Sequence, residues 1–333
     1  MSHYRSDSLS DIYGYFIDDL LYYTQFESSP RGKPIKEILV ASFELTDPRN
    51  RIIESKAREM NYGFAVGELC WYLRGDVDLA TMVYYNKRMS QFSDDGETIN
   101  SAYGARILNP MWIDHTWSPK SQFENVVAEL ISDPDSRRAV MHINQPSDLL
   151  RAVTKGSKDV PCTMSLQLFI RERKLHMHVT MRSNDIIWGL PYDVFSFTCL
   201  MECFLYKLQN AGVPVDDLGS YHHTAGSLHI YDTHYDMANR IYCEDNEAPS
   251  PMNPFTLDGM EYLAEEIEPN IRLDKSNTIT QPNNETELWM FNNLIDHRKK
   301  RANEVIEYER KQAALIELTK LSEEITLEKE NNE

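Results

Sequence analysis

No stretch of this chain approaches the about 20 consecutive apolar residues of a membrane span. Its first residues, Met1-Ser2-His3-Tyr4-Arg5-Ser6-Asp7, lack the apolar centre of a secretion signal, so a cytoplasmic protein without a membrane partner is expected. Basic residues are scarce: 34 Lys and Arg stand against 52 Asp and Glu, a net charge of −18. That balance argues against a nucleic-acid partner, whose phosphate backbone calls for a basic surface. A small anion stays open to it, since a local arginine cluster outweighs a distant field. Cysteine is sparse and odd in number, five residues at 70, 162, 199, 203 and 243, which is no disulfide framework. Cys199 and Cys203 share one face of an apolar helix and read as core. Neither they nor His222, His223 and His229 have zinc spacing, so no metal is expected. No internal repeat is present.

What is present is a globular composition: 333 residues, 41% hydrophobic and 11% aromatic, enough for one large domain or two ordinary ones. Apolar spacing predicts a helix over 8–26, a loop at 28–34 with Arg31 and Lys33 flanking a glycine, and a strand over 38–45. A helix is expected over 56–74. On it Glu68 stands among Phe64, Leu69, Trp71 and Tyr72, where desolvation would raise a carboxyl pKa unless its head reaches water. Residues 76–100 read as polar loop, and Tyr103-Gly104 as a compact element. Ser118 and Pro119 look like an N-cap and first helical residue, with the helix stopping at Asp133-Pro134. Arg137 and Arg138 precede a strand over 139–143, where neighbouring side chains face opposite ways. Leu166, Leu168 and Ile170, then Leu175, Met177, Val179 and Met181, alternate with polar residues about a turn at Glu172-Arg173, which makes a hairpin. Its two ends would bring Cys162, Arg182 and Ser183 together. Residues 194–208, apolar on nearly every face, form a buried helix stopped near Gly212. Residues 244–284 read as loop. Asn284 to Glu287 look like the cap of a long amphipathic helix whose apolar positions run through Ala313, Ile316 and Ile325, with 328–333 frayed.

Several pieces then stand in a telling order: Glu68-Leu-Cys-Trp-Tyr-Leu-Arg-Gly-Asp76, Tyr103-Gly104, Asp133-Pro-Asp-Ser-Arg-Arg138, Pro161-Cys162, Gln167, Arg182-Ser-Asn-Asp185, Gly189-Leu-Pro-Tyr-Asp193 and His229-Ile-Tyr231. Over about residues 30–240 this resembles the thymidylate synthase superfamily. Two departures, Thr163 after the cysteine and Asp193 where the family usually has asparagine, make it similar to the cytidylate (CMP or dCMP) 5-hydroxymethylase branch. The resemblance implies an α/β (α+β) fold: a large mixed sheet covered by helices, pairing through its other face into a homodimer. Residues 1–284 would be the catalytic domain, with an N-terminal helical extension over 1–27, and 285–333 a charged helical C-terminal extension.

The resemblance also implies roles. Cys162 would attack C6 of the pyrimidine. Arg31, Arg182, Ser183 and the partner-donated pair Arg137 and Arg138 would hold the 5′-phosphate, for which guanidinium forks are good matches. His229 and Tyr231 would hold the sugar. Tyr103 would assist proton removal at C5, and Glu68 would order the water. Asp185 and Trp71 would contact 5,10-methylenetetrahydrofolate, the co-substrate. Arginine near Cys162 is expected to lower its thiol pKa. An asparagine amide matches the O4 and N3–H of uracil; a carboxylate at 193 accepts from the 4-amino group of cytosine instead and opposes O4. The charged end, Leu327-Glu-Lys-Glu-Asn-Asn-Glu333, lacks the apolar proline-containing lid of the synthases, which would let water add to the exocyclic methylene and give a 5-hydroxymethyl nucleotide. Methylation of dUMP or of a cytidylate on the same fold, and a catalytically silent nucleotide-binding scaffold, are the alternatives. CMP and dCMP both suit these residues.

Overall fold

The computed structural model describes residues 2–113, 116–244, 249–275 and 279–330, excepting side chains at 111–118 and 313–330. The chain begins with β1 (His3–Ser6), α1 (Leu9–Tyr22), β2 (Phe26–Ser28) and β3 (Ile35–Leu45). Helices α2 (Tyr62–Leu73), α3 (Leu79–Tyr85) and α4 (Tyr103–Leu108) follow, then a small hairpin of β4 (Met111–Ile113) and β5 (Thr116–Ser118). Next come α5 (Gln122–Ser132), β6 (Val140–His142), α6 (Pro146–Lys155), β7 (Thr163–Arg171), β8 (Lys174–Met181) and the short β9 (Asn184–Asp185). The chain closes with α7 (Leu190–Asn210), β10 (Asp217–Tyr231), α8 (Tyr235–Tyr242), α9 (Leu257–Tyr262), a π turn at Leu263–Ile267, α10 (Glu268–Arg272) and α11 (Glu285–Glu330).

Eight strands make one mixed sheet in the order β1-β3-β10-β8-β7-β6, with β2 on β3 and β9 on β10. β10 runs antiparallel to β3 and parallel to β8 and β9. The period-2 pattern sets its two faces. Leu166 and Leu168 of β7 and Leu175, Met177 and Val179 of β8 are fully buried, and α7 lies over the sheet with its own apolar side chains enclosed. The opposite face is half-buried and polar, with His176, His178, Thr180, His222 and Thr224. The β7–β8 turn is tight: Glu172 and Arg173 both take left-handed φ, 51° and 58°, the geometry of a two-residue hairpin made here without glycine.

Several boundaries differ from expectation, each for a local reason. Helix α2 starts at Tyr62, not 56, because the Asn61 side chain accepts from the Phe64 N–H and caps it there. The stretch 76–100 is not all loop: Asp78 caps α3 through the Thr81 N–H, and a 3₁₀ turn spans Lys87–Phe92. Helix α5 begins behind Ser121, which forms a reciprocal capping box with Glu124; Ser118 ends β5 instead, and its side chain lies outside the described residues. Residues 146–155 form α6, opened by Pro146. The proline-rich 244–284 region contains α9, the π turn and α10. There Thr256 caps α9, Pro269 stands in the first turn of α10 where no N–H is needed, and Met260, Leu263 and Ile267 are fully buried. Glu268, also buried, is tied to Arg74, Arg272 and Tyr85. Arg137 and Arg138 precede the strand as expected, but β6 is shorter, Val140–His142 in place of 139–143.

Helix α11 is capped by Asn284, whose side chain accepts from the Thr286 and Glu287 N–H groups. Its first turns pack on α2. Met290 and Leu294 are buried, and at Gly63 a methyl group would lie 2.4 Å from the His297 Cβ. From Ala302 to Gln312 every residue is exposed; the side chains of Ala313, Ile316 and Ile325 and residues 331–333 lie outside the described residues. Among the described residues no helix is long and apolar enough to cross a membrane.

The α4 to α2 contact is equally close. A Cβ on Gly104 would lie 2.3 Å from both the Cα and the carbonyl oxygen of Tyr72, backbone atoms that cannot swing aside. Gly104→Ala is therefore expected to destabilise the fold by about 1–3 kcal/mol in urea unfolding, the usual scale of overpacking. A wild-type midpoint would show that α4 does not dock this closely.

Candidate active site

The hairpin delivers the thiol and its arginine to one place. Cys162 immediately precedes β7, and Arg182 immediately follows β8; the Arg182 N–H donates to the Cys162 carbonyl over 2.8 Å. The guanidinium turns back over the thiol. Its Nε donates to the Pro161 carbonyl at 3.0 Å, and its Nη2 to the Val160 carbonyl at 3.1 Å and towards the Cys162 Sγ at 3.6 Å. Tyr103, at the start of α4, accepts the N–H groups of Cys162 and Thr163 on its hydroxyl, at 3.2 and 3.3 Å. That fixes the peptide carrying the nucleophile and leaves the phenol hydrogen available for donation. Asp159 accepts the N–H groups of Asn100 and Ser101 and so pins the approach to Cys162.

Burial outweighs arginine at the thiol. It pushes the Cys162 pKa up; Arg182 pulls the other way, Asp193 adds to the rise, and Arg31 opposes it. The expected lowering is thus reversed, because desolvation of the sulfur exceeds the pull of the two guanidiniums.

Two carboxyl groups share the floor of the site. Glu68 projects from α2 and Asp193 from the first turn of α7. Burial, with the charge of Asp193 added, pushes Glu68 up to about 8. Burial also lifts Asp193 to about 7, against a hydrogen bond from Asn184 that favours its charged form, with Asp185 adding to the rise. Asn184 Nδ2 donates to Asp193 Oδ2 at 2.8 Å, so this carboxyl is held by a side chain and not spent as a helix cap. Tyr72 lies close enough to feel the charges of both Glu68 and Asp193, and its ring centroid is 5.7 Å from that of Tyr103.

Strand β10 brings up the third side. His229 pairs with Asp185 across the β10–β9 ladder and stacks edge-on with Tyr231, centroids 5.2 Å apart. Burial, with Asp185 adding, raises the Tyr231 pKa, and Arg31, in a left-handed backbone conformation (φ 55°), reaches its hydroxyl and opposes that rise. Ser183 follows Arg182 directly and is half-buried. Gly226 lets β10 pass the Arg182 carbonyl, where a Cβ would be 2.9 Å from that oxygen.

Three expected residues do not join this group within the chain. Arg137 and Arg138 are exposed, and Arg138 pairs with Glu129 at 2.8 Å. Trp71 is 2% exposed and donates its indole N–H to the Asp78 carbonyl, so it is core beneath the site and not a folate contact. Trp188, half-buried, stands beside Asp185. Asp185 Oδ1 accepts the Ile187 and Trp188 N–H groups, and the guanidiniums of Arg58 and Arg88 lie over the Trp188 ring at 4.7 and 4.5 Å. Arg58 is buried and donates to the Ile187 carbonyl, whereas Arg88 is exposed beside the half-buried Trp188 and Asp185. Sequence reasoning missed Trp188, although it stands three residues past Asp185, and missed Tyr72, Asn184 and His223. An apolar hollow between α5, α7 and α9, lined by Phe123, Val127, Cys203 and Met260, contains none of these residues.

A cysteine at the edge of a mixed sheet, with an arginine at the sulfur and two raised acids nearby, is the set of groups of an enzyme that uses a thiol nucleophile and proton transfer. Comparison then specifies it. The Thymidylate synthase family profile matches residues 38–259, two-thirds of the chain, and the protein belongs to that family. Deoxyuridylate hydroxymethyltransferase of Bacillus phage SP01 is 36% identical over 209 residues, covering 61% of this chain and 52% of that protein. Deoxycytidylate 5-hydroxymethyltransferase of Enterobacteria phage T6 is 35% identical over 145 residues, covering 43% and 55%. The chain thus spans about half the length of these curated relatives. The structure of thermostable thymidylate synthase A from Bacillus subtilis superposes with a TM-score of 0.60 at 20% identity, covering 78% of this chain and 93% of that one, which shows the shared fold.

The raised acids set the pH dependence of stability. Glu68 and Asp193 would titrate near 4 in the unfolded chain. Between there and their folded values of about 8 and about 7 the folded protein holds protons that the unfolded chain has released. Stability is therefore expected to fall as pH rises from about 5 to 8, by at most about 1.4 kcal/mol per pH unit for each group. Glu68→Gln should flatten that slope in urea unfolding series; an unchanged slope would mean that Glu68 is ionised in the folded protein at pH 5.

Proposed function

We propose that this protein is a nucleotide 5-hydroxymethyltransferase that acts on a cytidine 5′-monophosphate (CMP or dCMP). Cys162 would add to C6 of the ring, and C5 would take the one-carbon unit from 5,10-methylenetetrahydrofolate. Loss of the C5 proton and release of tetrahydrofolate would leave an exocyclic methylene, and water would add to that carbon as the Cys162 thiolate leaves C6. The observation that carries the choice of cytosine is Asp193: a carboxyl group, one oxygen held by the Asn184 amide, at the position where the resemblance to the thymidylate synthases implies an asparagine. It accepts from a 4-amino group and opposes a 4-oxo group, and a mismatched polar pair in a buried site is rejected strongly.

The remaining residues have the chemistry that this requires. Arg182 and Arg31 near the thiol offer charge to a 5′-phosphate, and both oppose the rise that burial imposes on the Cys162 thiol. Ser183 adds a hydroxyl, and His229 and Tyr231 face the sugar. Tyr103, whose hydrogen is uncommitted by its contacts to Cys162 and Thr163, serves as a proton relay at C5. Glu68, with a pKa near neutrality, exchanges protons with a water at little cost in driving force. Asp185 and Trp188, flanked by Arg58 and Arg88, are the residues that would hold the folate. Arg137 and Arg138, exposed and away from their own Cys162, would complete the phosphate site of a second subunit across the polar face of the sheet, in a homodimer. Residues 1–284 would form the catalytic domain and 285–333 a helical extension. A free nucleotide in the cytoplasm, not nucleic acid, suits a chain of net charge −18.

A second reading has a specific observation behind it: the Bacillus phage SP01 relative is a deoxyuridylate hydroxymethyltransferase. A carboxyl group with a pKa of about 7 is partly protonated at neutral pH and could donate to a 4-oxo group. An assay with methylenetetrahydrofolate and an equimolar mixture of CMP, dCMP, UMP and dUMP, read by product mass, decides between them. A 5-hydroxymethyl product from CMP or dCMP is expected. A product from dUMP alone would transfer the reading to uracil, and a methyl product would make the protein a synthase. Cys162→Ser is expected to abolish turnover while nucleotide binding persists; full activity would end the covalent mechanism. Asp193→Asn is expected to move preference towards uracil nucleotides, and an unmoved preference would take Asp193 out of base recognition.

A further inference from the structure

Behind Asp193 a line of side chains runs into the core. Asn184 Nδ2 meets Asp193 Oδ2 at 2.8 Å, and Asn184 Oδ1 meets His223 Nε2 at 3.1 Å. His223 Nδ1 meets the Tyr221 hydroxyl at 2.9 Å. Tyr221 is fully enclosed, and His223 and Asn184 are each 2% exposed. Phe43 stacks on the imidazole at 5.0 Å, nearly parallel to it. Burial holds His223 neutral, its pKa lowered to about 3, and keeps the proton on Tyr221.

Two directions of donation are consistent with these distances. In one, Tyr221 donates to Nδ1, Nε2–H donates to the Asn184 oxygen, and the Asn184 amide donates to Asp193. In the other, every arrow is reversed, the amide is turned over, and Nδ1–H donates to the phenol oxygen. The phenol hydrogen then points into an enclosed space with no acceptor among the described residues. A buried donor left unmet is the costlier arrangement, so the chain starts at Tyr221. A neutral imidazole has one N–H, and Tyr221 thereby decides that it sits on Nε2.

The consequence reaches the substrate. With one lone pair of Oδ2 engaged by Asn184, a carboxyl proton resides on Oδ1. Cytosine presents a 4-amino donor beside an N3 acceptor; uracil presents a 4-oxo acceptor beside an N3–H donor. Bare Oδ2 against the amino group and protonated Oδ1 against N3 is a matched pair for cytosine. Uracil in the same pose needs the proton on the other oxygen. We propose that Tyr221 and His223 are positioning residues for pyrimidine selectivity: acting through Asn184, they keep the Asp193 oxygen that meets the 4-position of the ring free of a proton. The proposal rests on the cytidylate reading above.

The test measures kcat/KM for dCMP and dUMP in wild type, Tyr221→Phe, His223→Leu and His223→Gln. Tyr221→Phe frees the imidazole to change tautomer, and the dCMP-over-dUMP ratio is expected to fall at least tenfold, with uracil use rising in absolute terms. His223→Leu should do the same, while His223→Gln, which still carries a donor for the Asn184 oxygen, should keep more of the ratio. A merely structural role would lower both substrates together, and an unchanged ratio in an enzyme that does use cytidylates would overturn the proposal alone. A wild-type enzyme that converts only uracil nucleotides would overturn the cytidylate reading with it. Should the variants not fold, the ¹⁵N shifts of His223 in the wild-type protein decide: protonated Nε2 and bare Nδ1 are expected, and protonated Nδ1 would overturn the relay.

Discussion

The site depends on the pairing of β10. This single strand bonds to β3 on one side and to β8 and β9 on the other, and each pairing carries something the chemistry uses. Its partner β8 ends at the arginine that covers the thiol. Its partner β9 is Asn184 and Asp185 themselves. Its own residues supply His223, His229 and Tyr231. Because side chains alternate along a strand, a slip of one residue would turn all three to the wrong face. The register is held by a deep apolar layer between sheet and α7 and by Gly226, the only residue type that lets the strand pass the Arg182 carbonyl so closely.

On that frame the protein places acids where water is scarce. Burial is the largest influence on Glu68, Asp193 and Cys162 alike, and in each case it favours the neutral form. Elsewhere buried acids are met by cations or N–H donors: Glu202 by Arg49 and Arg51, Asp148 by Arg106 and Arg151, Glu268 by Arg74 and Arg272, and Asp159 by the N–H groups of Asn100 and Ser101. Glu68 and Asp193 have no cation against them in these contacts. The contrast separates acids that brace the fold from acids kept ready to change protonation.

Much of the fold was legible because its strongest patterns are local. The β7–β8 hairpin shows in strict alternation and α7 in apolar density, and the order of short motifs placed Cys162, Arg182, Asp193 and His229 in one region before any coordinates. Illegible were features set by distant partners. Helix α3 is seven residues with no periodic stripe to detect. The prolines of 244–284 suggested loop, yet Pro269 opens a helix. Trp71 lies one turn along α2 from Glu68 and reads as a site residue, but its ring turns to the Asp78 carbonyl. The Asn184–His223 contact joins residues 39 apart in sequence across neighbouring strands, and neither residue carries a sign of the other. The thiol pKa was misjudged for a related reason: sequence displays the arginine but not the depth of the sulfur.

Helix α11 sets a limit on how the chain can be shortened. Through Arg301 its inner face covers α2, with Trp289 against Tyr62 and Phe195 and His297 bonded to Asn61, the residue that caps α2. Beyond that point every residue up to Gln312 faces solvent. A cut after Arg301 would take away exposed helix over 302–312, where Glu304 reaches Lys87 at 3.9 Å. A cut before Leu294 would strip the cover from the helix that carries Glu68 and loosen the cap at its start. The same 46-residue helix is thus exposed along 302–312 and part of the wall behind Glu68 at its start.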